Sequence, residues 1–422
     1  MNLFIVTNPY GNIYDANARI AADLAQHLAK YGVRCHMFAS PGKTVLPGIE
    51  LHLFGADNEA SFHSIDPTVR WKSLSFLHKC LLLISHPLRA LQLVKARIPT
   101  KKGANKLPSY IVEYSENIRS VCAAEKIDAI LAIYMPHEIL QTFAYETFTV
   151  PVFLYQLDPW GLHELELPVK AEERRAEEVA AFAKARHIFT TPVLFELYDK
   201  DAQFKPFLSK MTAMAFPVLA EPALCKAPAD EMPLDVGTDD YVILYTGTIA
   251  DHYRSPAFAL SVLVSLKKKL PTLKVFFMGI SFSEVLTSFA KEHSDFILLI
   301  EPQPNEIADC AIQQADALLN IGNALHNQMP SKIIGYVGSG KPIISTAKII
   351  DCPSKEFLGK YPLHIVLDED EDVDSAANQL QVFCRQTIGK TVSYETVLSL
   401  YSDTTPQYAA SVIYEVLREE LA

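Results

Sequence analysis

Residues 330–346 read PSKIIGYVGSGKPIIST, and this stretch carries the strongest information about the fold. Within it, GYVGSGKP (335–342) has the glycine spacing of a phosphate-binding P-loop, except that Pro342 stands where Ser or Thr would bind Mg²⁺. A P-loop follows a strand and opens a helix, whereas here a helical pattern (331–340) precedes the motif and an apolar run follows it. The order helix, turn, strand argues against an ATP-type P-loop and predicts that the glycines end a helix.

The same alternation of strand-like runs and helical patterns extends along the whole chain. It is typical of parallel sheets with crossover helices, so the predicted fold class is α/β, with two doubly wound Rossmann-like domains facing a cleft. The predicted domains are an N-terminal domain (1–219), completed by a C-terminal helix (406–422), and a C-terminal domain (241–405). A stretch rich in Pro, Ala and Asp (220–240) is predicted to link them. Ligands of such sheets bind at the carboxyl ends of the strands.

Size and composition indicate a folded globular protein. A chain of 422 residues predicts two domains. The apolar fraction of 49% and the charged fraction of 21% argue against disorder. The formal charge of −11 argues against general nucleic-acid binding.

The cysteines and the N-terminus predict a cytoplasmic protein. The seven cysteines are scattered, mostly in apolar runs, without the close pairs of a zinc or redox motif, so they are expected to be buried, reduced thiols. The first residues, MNLFIVTN, read as a strand of the fold rather than a signal peptide. No stretch has the roughly 18–20 apolar residues that span a bilayer.

Residues 70–106 form a basic amphipathic segment in an otherwise acidic chain. Between Asp66 and Glu113 there is no carboxylate, and basic residues are interleaved with apolar ones. The basic residues are Arg70, Lys72, Lys79, Arg89, Lys95, Arg97, Lys101, Lys102 and Lys106. Such a pattern is typical of helices that lie on anionic lipid, which predicts peripheral attachment to the inner face of the cell membrane. A core helix with a solvated basic face is the alternative.

The stretch 315–346, ADALLNIGNALHNQMPSKIIGYVGSGKPIIST, resembles the donor-binding region of GT-B fold glycosyltransferases of the family 4 type. That family has a PSK(I/L)-x-EY-x-x-x-GKP(V/I)I segment. YVILYTGTI (241–249) resembles the strand and glycine turn that open its donor domain. The resemblance implies a GT-B architecture over nearly the whole chain, while the motif itself covers about thirty residues.

The resemblance implies a donor site in the second domain. Ser331 and Lys332 begin a helix whose amino end would face a diphosphate, with Lys332 supplying a positive charge. Backbone N–H groups of Gly247 and Thr248 could approach phosphate, with Arg254 as a bidentate partner. The alternative for Lys332 is an ordinary first-turn lysine facing solvent.

The amides Asn323 and Asn327 suit sugar hydroxyls, and plain turn chemistry is their alternative reading. The chain departs from the family at its paired glutamates, which fall on Asn327 and Gly335. Neither residue is acidic, so another group must hold the ribose, or the nucleotide is bound differently.

The first domain offers fewer candidates. NPYGN (8–12) follows the first strand and resembles a donor-contacting loop of the family, which implicates the N–H groups of Gly11 and Asn12. LYQLDPWG (154–161) supplies Asp158 as the candidate catalytic carboxylate and Trp160 as a possible platform for a sugar ring. An Asp-Pro turn cap is the alternative for Asp158.

These residues predict transfer of a sugar from a nucleotide-sugar donor to a saccharide or lipid-linked saccharide acceptor, with retention implied by the resemblance. No metal site and no cofactor are expected, because no metal-binding DxD pattern has a supporting context. Two alternatives stay open: a nucleotide-sugar epimerase of the same architecture, and a non-catalytic GT-B subunit that binds a partner. The first would need no acceptor, and the second is motivated by the missing carboxylates.

Overall fold

The structure is a computed structural model, which describes residues 1–10, 16–39, 48–53, 107–133, 137–161, 168–221, 225, 233–326 and 328–422. The predicted site residues Gly11, Asn12 and Asn327 lie outside these ranges, as does the basic segment 70–106. Within the described residues, no helix is both long enough and apolar enough to cross a bilayer.

The chain divides into two compact units. Unit 1 comprises residues Met1–Ala215 and Ala409–Ala422, and unit 2 comprises Phe216–Tyr408. Unit 1 contains a parallel sheet in the order β3-β2-β1-β4-β5-β6-β7. Its strands are β1 (Asn2–Tyr10), β2 (Arg34–Ala39), β3 (Ile49–Leu53), β4 (Ala129–Ile133), β5 (Val152–Gln156), β6 (His187–Thr190) and β7 (Met211–Ala213). Its helices are α1 (Ala16–Ala29), α2 (Ser109–Glu125), α3 (His137–Tyr145), α4 (Pro168–Lys184) and α5 (Pro192–Lys200), followed by a 3-10 helix (Lys205–Lys210).

Unit 2 contains a second parallel sheet, in the order β10-β9-β8-β11-β12-β13. Its strands are β8 (Tyr241–Thr246), β9 (Leu273–Met278), β10 (Ile297–Ile300), β11 (Ala317–Asn320), β12 (Ile343–Ala347) and β13 (His364–Asp368). Its helices are α6 (Ala257–Lys269), α7 (Glu284–Glu292), α8 (Asn305–Gln314), α9 (Lys332–Gly338), α10 (Pro353–Leu358), α11 (Val373–Thr387) and α12 (Tyr394–Tyr401). A 3-10 helix (Ser402–Thr404) precedes the last helix, α13 (Pro406–Leu421).

The buried strands explain why both sheets form from this sequence. All five residues of β4 and of β5 are buried, and so are the first five of β8. Parallel strands covered by helices on both faces need continuous apolar runs rather than alternating ones, and the sequences AILAI and VFLYQ meet that need. The predicted fold class, two doubly wound α/β units, is confirmed.

Helix α9 lies within the stretch 330–346. It buries Ile333, Ile334 and Val337 in the core of unit 2. Gly340 follows it with φ +73°, and a Cβ there would lie 2.2 Å from the Val392 carbonyl oxygen, so only glycine fits this helix end. The observed order helix, glycine turn, strand β12 is the one predicted.

The segment before β8 is attached to unit 2 by side chains of α8. Cys225 forms a disulfide bond with Cys310. Gln313 accepts a hydrogen bond from the Cys225 N–H, and Gln314 exchanges two hydrogen bonds with the backbone of Leu234. The expectation that all cysteines are reduced thiols is therefore wrong for Cys225 and Cys310. The pairing joins positions 85 residues apart in sequence, which spacing alone does not reveal.

Candidate functional site

The candidate site lies at the point where the strand order of unit 2 reverses. The chain runs from β8 outward to β10 and then returns to β11 on the other side of β8. In open parallel sheets, ligands bind outside the carboxyl ends of the strands at such a switch point. The loops that leave β8 and β11 here carry Gly247, Thr248, Arg254, Asn323 and Ser331, and α9 begins with Lys332.

Lys332 extends from the start of α9 toward the end of β8. Its Nζ donates a hydrogen bond to the Thr246 carbonyl oxygen at 3.0 Å and lies 3.5 Å from the centroid of the Tyr245 ring. Burial, and next the positive charge of Arg254, hold the pKa of Lys332 well below its usual value. Within the described residues Lys332 forms no ion pair with a carboxylate. The amine is therefore available to an incoming anion, unlike the solvent-facing lysine of the alternative reading.

Arg254 is the second cation of the site. Its Nε donates to Asn323 Oδ1 at 2.8 Å and its Nη1 donates to the Thr248 carbonyl oxygen at 3.1 Å. Both acceptors are neutral, and the described ion pairs of the chain do not include Arg254. An amine and a guanidinium near one strand end, neither paired with a carboxylate among the described residues, are the pattern of an anion site.

Asn323 holds the Arg254 guanidinium in position through a hydrogen bond. Its side chain is buried at 2% exposure, and its Nδ2 donates to the Gln328 carbonyl oxygen at 3.0 Å while Oδ1 accepts from Arg254. Both ends of the amide are thus occupied within the protein. A direct contact of Asn323 with a sugar hydroxyl, as expected from its residue type, would have to compete with these bonds.

Gly247 provides space at the site, but its N–H is not free to bind a phosphate. Its φ is +115°, and a Cβ at this position would lie 3.3 Å from Lys332 Nζ. Its N–H donates to the Met278 carbonyl oxygen at 2.8 Å, so the predicted N–H contact with phosphate is not open to this residue. Because position 247 has no side chain, this residue does not cover the Lys332 amine.

Thr248 and Ser331 contribute mainly through their backbone. The Thr248 carbonyl oxygen accepts from Tyr245 Oη at 2.8 Å as well as from Arg254, and so fixes the loop after β8. Ser331 is half-buried, and its carbonyl oxygen accepts from the Ile334 N–H in the first turn of α9. Gly335 is exposed, and a Cβ there would meet nothing within 4 Å. The position at which the resembling family has a carboxylate is therefore open space.

A pocket of about 300 Å³ lies beside Gly247, on the side of β9 and β10. Its walls are about equally polar and apolar: Ile249, Phe277 and Leu286 supply apolar side chains, while Thr287 and Glu301 add polar groups. Glu301 follows β10 directly and is exposed. Glu301 was not among the residues predicted from the sequence, although a carboxylate at the carboxyl end of a predicted strand is the signal that could have identified it.

In unit 1, Asp158 lies half-buried in the loop after β5. Glu178 of α4 holds this loop by accepting hydrogen bonds from the Gly161 N–H at 3.0 Å, from Tyr198 Oη at 2.7 Å and from Gln156 Nε2. Burial raises the pKa of Glu178, and these donors oppose the rise. Glu178 thus holds the loop that contains Asp158 in one position, as a functional group needs.

Trp160 does not offer a free ring face. It is 6% exposed, its Nε1 donates to Glu177 at 2.9 Å, and the Arg174 guanidinium carbon lies 4.0 Å from the ring centroid. The expectation that Trp160 stacks on a sugar is wrong in this structure, because the ring packs as part of the loop anchor. The single tryptophan in a turn gave no signal of that burial.

The comparisons with known proteins establish the fold. No family model matches the sequence, and no curated protein matches it. Sucrose-phosphate synthase from Thermosynechococcus elongatus superposes with a TM-score of 0.64 at 13% identity, over 99% of this chain and 98% of the other. WaaG, a glycosyltransferase involved in lipopolysaccharide biosynthesis, has a TM-score of 0.58 at 11% identity, over 98% and 99%. A Listeria monocytogenes protein assigned as a UDP-N-acetylglucosamine 2-epimerase has a TM-score of 0.55 at 11% identity, over 99% and 95%.

These similarities run over nearly the full length of each chain, and they show that the protein has the GT-B fold of glycosyltransferases. Since the same fold is found in the protein assigned as an epimerase, the fold alone leaves the reaction open. The reaction has to be argued from the site.

Proposed function

We propose that the protein is a glycosyltransferase that moves a sugar from a nucleotide-sugar donor to a saccharide or lipid-linked saccharide acceptor. The observation that carries the proposal is the pair of cations, Lys332 and Arg254, held near the end of β8 by neutral partners. Transfer from a nucleotide sugar leaves a diphosphate whose negative charge grows as the bond to the sugar breaks. Fixed positive groups in a half-buried site stabilise that charge without reorganisation of solvent.

In this proposal, Lys332 and Arg254 bind the diphosphate, and Asn323 holds the guanidinium in place. The open space at Gly247 and Gly335 admits the donor. The nucleoside occupies the pocket of about 300 Å³, with its base against the apolar side chains. The residues that bind the leaving group are side chains of this chain, so the proposed transfer needs no metal ion at the diphosphate.

Asp158 is proposed as the carboxylate of unit 1 that orients a hydroxyl or supports the transition state. The proposal rests on its place after β5 and on the fixed loop that carries it. Retention of configuration, and the contacts of Gly11, Asn12, Thr248, Asn327 and Ser331 with the donor, rest on the resemblance of the sequence motifs and stay predictions.

The proposal is tested with a panel of UDP-, GDP- and dTDP-sugars. A bound donor raises the thermal midpoint of unfolding, because it binds only the native state. The stabilising donor is then incubated with saccharide and lipid-linked acceptors, and products are identified by mass spectrometry. Sugar transfer supports the proposal. Epimer formation without acceptor identifies the epimerase instead, and absence of binding to every nucleotide sugar identifies the non-catalytic subunit.

We expect Glu301 to accept hydrogen bonds from the ribose, since the carboxylate that does so in the resembling family is absent at 335. Glu301→Gln should weaken binding of the preferred ribonucleoside diphosphate by about 1 kcal/mol, the typical value of one hydrogen bond. Calorimetric titration of the 2′,3′-dideoxy analogue should show no difference between the variant and the parent protein. Glu292→Gln, an exposed glutamate at the end of α7, is the matched control. An unchanged affinity for the ribonucleotide would remove Glu301 from the site.

The basic segment 70–106 is proposed to attach the protein to anionic membranes. Flotation with vesicles that contain anionic lipid should carry the protein upward at low salt and release it at high salt, because the attraction between exposed charges is screened. Neutral vesicles are the control. Failure to float with anionic vesicles at low salt would leave the core-helix reading of this segment.

A further inference from the structure

A group of ionisable side chains lies in unit 1, at the opposite edge of the sheet from Asp158. His36 is near the amino end of β2, Glu50 is near the amino end of β3, and Glu125 ends α2. One ligand atom from each of these three residues lies within 4.8 Å of the other two. The side chain of His36 is fully buried, whereas both glutamates are half-buried.

A second histidine, His52, lies beside this group and is hydrogen-bonded to His36. His52 Nε2 lies 3.0 Å from His36 Nδ1, with the two rings inclined by 19°. Glu50 Oε2 lies 3.7 Å from the same His36 nitrogen. Donor atoms bound to one tetrahedral Zn²⁺ at about 2.0–2.1 Å are separated by roughly 3.3 Å, so these spacings are those of a shared metal.

Arg34 orients the Glu50 carboxylate. Both of its hydrogen bonds, from Nε at 2.7 Å and from Nη2, go to Oε1, which leaves Oε2 directed toward His36. Metal-binding carboxylates are commonly held in this way by a neighbouring group.

His36 is also incompletely satisfied as a buried polar residue. Its Nδ1 faces His52 and Glu50, while Nε2, the other ring nitrogen, has no hydrogen-bond partner within the part of the chain that the structure describes.

We propose that His36, Glu50 and Glu125, with His52 as the fourth ligand, bind one divalent transition metal of the Zn²⁺ class. Two imidazoles and two carboxylates favour Zn²⁺ over Mg²⁺ or Ca²⁺, which prefer all-oxygen sites. Four protein ligands at the amino edge of the sheet make a closed, structural site that ties β2 and β3 to the end of α2. The site departs from the sequence-based expectation of no metal, which considered only the DxD pattern and closely spaced cysteines.

The test uses the untagged full-length protein after treatment with a chelator. Titration with Co²⁺ should give one bound ion per chain and the visible absorption of a four-coordinate site, and Zn²⁺ should displace it. Bound zinc is counted by elemental mass spectrometry, and Zn²⁺ should raise the thermal midpoint of unfolding.

Variants assign the ligands. His52→Ala and Glu50→Gln, both at half-buried positions, should weaken Co²⁺ binding at least tenfold while circular dichroism stays unchanged. Arg34→Gln should alter the Co²⁺ absorption and lower the affinity, and Arg34→Lys should restore part of both. His187→Ala and Glu146→Gln are the controls, since His187 is hydrogen-bonded to Thr212 and Glu146 is ion-paired with Arg119 elsewhere in unit 1.

Two results would overturn the proposal. One is a wild-type protein that binds neither Co²⁺ nor Zn²⁺ stoichiometrically. The other is equal metal affinity in the wild type, His52→Ala and Glu50→Gln, which would place the metal elsewhere.

Discussion

Replacement of Lys332 by Ala is expected to weaken nucleoside diphosphate binding by about 1–3 kcal/mol, the range for loss of a charged hydrogen-bond partner. The amine is held at the end of β8 by a carbonyl oxygen and an aromatic ring, and no carboxylate among the described residues neutralises it. An arriving diphosphate would supply the missing negative charge. Isothermal titration of the parent protein and the variant with the preferred diphosphate measures the difference.

The control for this prediction is Lys268→Ala, which removes an exposed lysine from α6. Lys332→Met tests the charge alone, because it keeps most of the aliphatic chain. A dissociation constant that is the same in Lys332→Ala and the parent protein would show that the amine does not contact the ligand.

The lowered pKa of Lys332 makes the same contact dependent on pH. Only the protonated amine attracts the diphosphate, and the protein without ligand loses this proton at a pH below the usual range for lysine. Binding of the anion favours the protonated form and so raises the pKa of the amine in the complex. Affinity should therefore fall as pH rises above the pKa of the free protein, with proton uptake on binding between that pKa and the higher pKa of the complex. Calorimetry in buffers of different ionisation enthalpy should detect that uptake in the parent protein and not in Lys332→Met.

Removal of the Cys225–Cys310 disulfide is expected to destabilise unit 2 strongly. The bond closes a loop of 85 residues, for which the chain-entropy relation gives about 4.5 kcal/mol, while native disulfides typically contribute about 2–4 kcal/mol. Cys225→Ser should lower the free energy of unfolding by an amount in this range. Urea unfolding of the two proteins without reductant, followed by spectroscopy, measures the loss.

Cys122→Ser is the matched control, since Cys122 is a free, half-buried thiol. Alkylation of the denatured chain gives an independent readout, because two of the seven cysteines should react only after reduction. If all seven react without reductant and Cys225→Ser unfolds at the same urea concentration as the parent protein, the bond does not form in solution. Disulfides are rare in a reducing cytosol, so the bond also removes the cysteine argument for a cytoplasmic location.

Much of the fold could be predicted from local sequence. Buried parallel strands appear in the sequence as continuous apolar runs, and the runs that form β4, β5 and β8 are of this kind. The start of α9 at Lys332 and the glycine turn before β12 follow from the conformational properties of Pro and Gly, which act within a few residues. The positions of Arg254 and Lys332 at one strand end follow from the topology of parallel sheets.

The rest depends on contacts between distant parts of the chain. Glu301 joins the pocket beside Gly247 because β10 and β8 end at the same edge of one sheet, and the disulfide depends on where Cys225 meets α8. Trp160 is buried, and two glutamates of α4 accept hydrogen bonds from its Nε1 and from the N–H of the next residue. A tryptophan at position 160 suggested a surface for stacking on a sugar ring, but its packing within the protein leaves no ring face free. The same applies to Asn323, whose amide is used by its neighbours.

If the protein is the proposed transferase, the resting position of Lys332 has a consequence for the release of product. The amine contacts the Thr246 carbonyl oxygen and the face of the Tyr245 ring, and neither of these carries a negative charge that would compete with a phosphate. A nucleotide that binds here would break no ion pair of Lys332, and after the diphosphate leaves, the lysine would return to its contacts with the carbonyl oxygen and the ring. Association and dissociation of the diphosphate can then both be rapid. A carboxylate paired with Lys332 would instead compete with the diphosphate and weaken its binding.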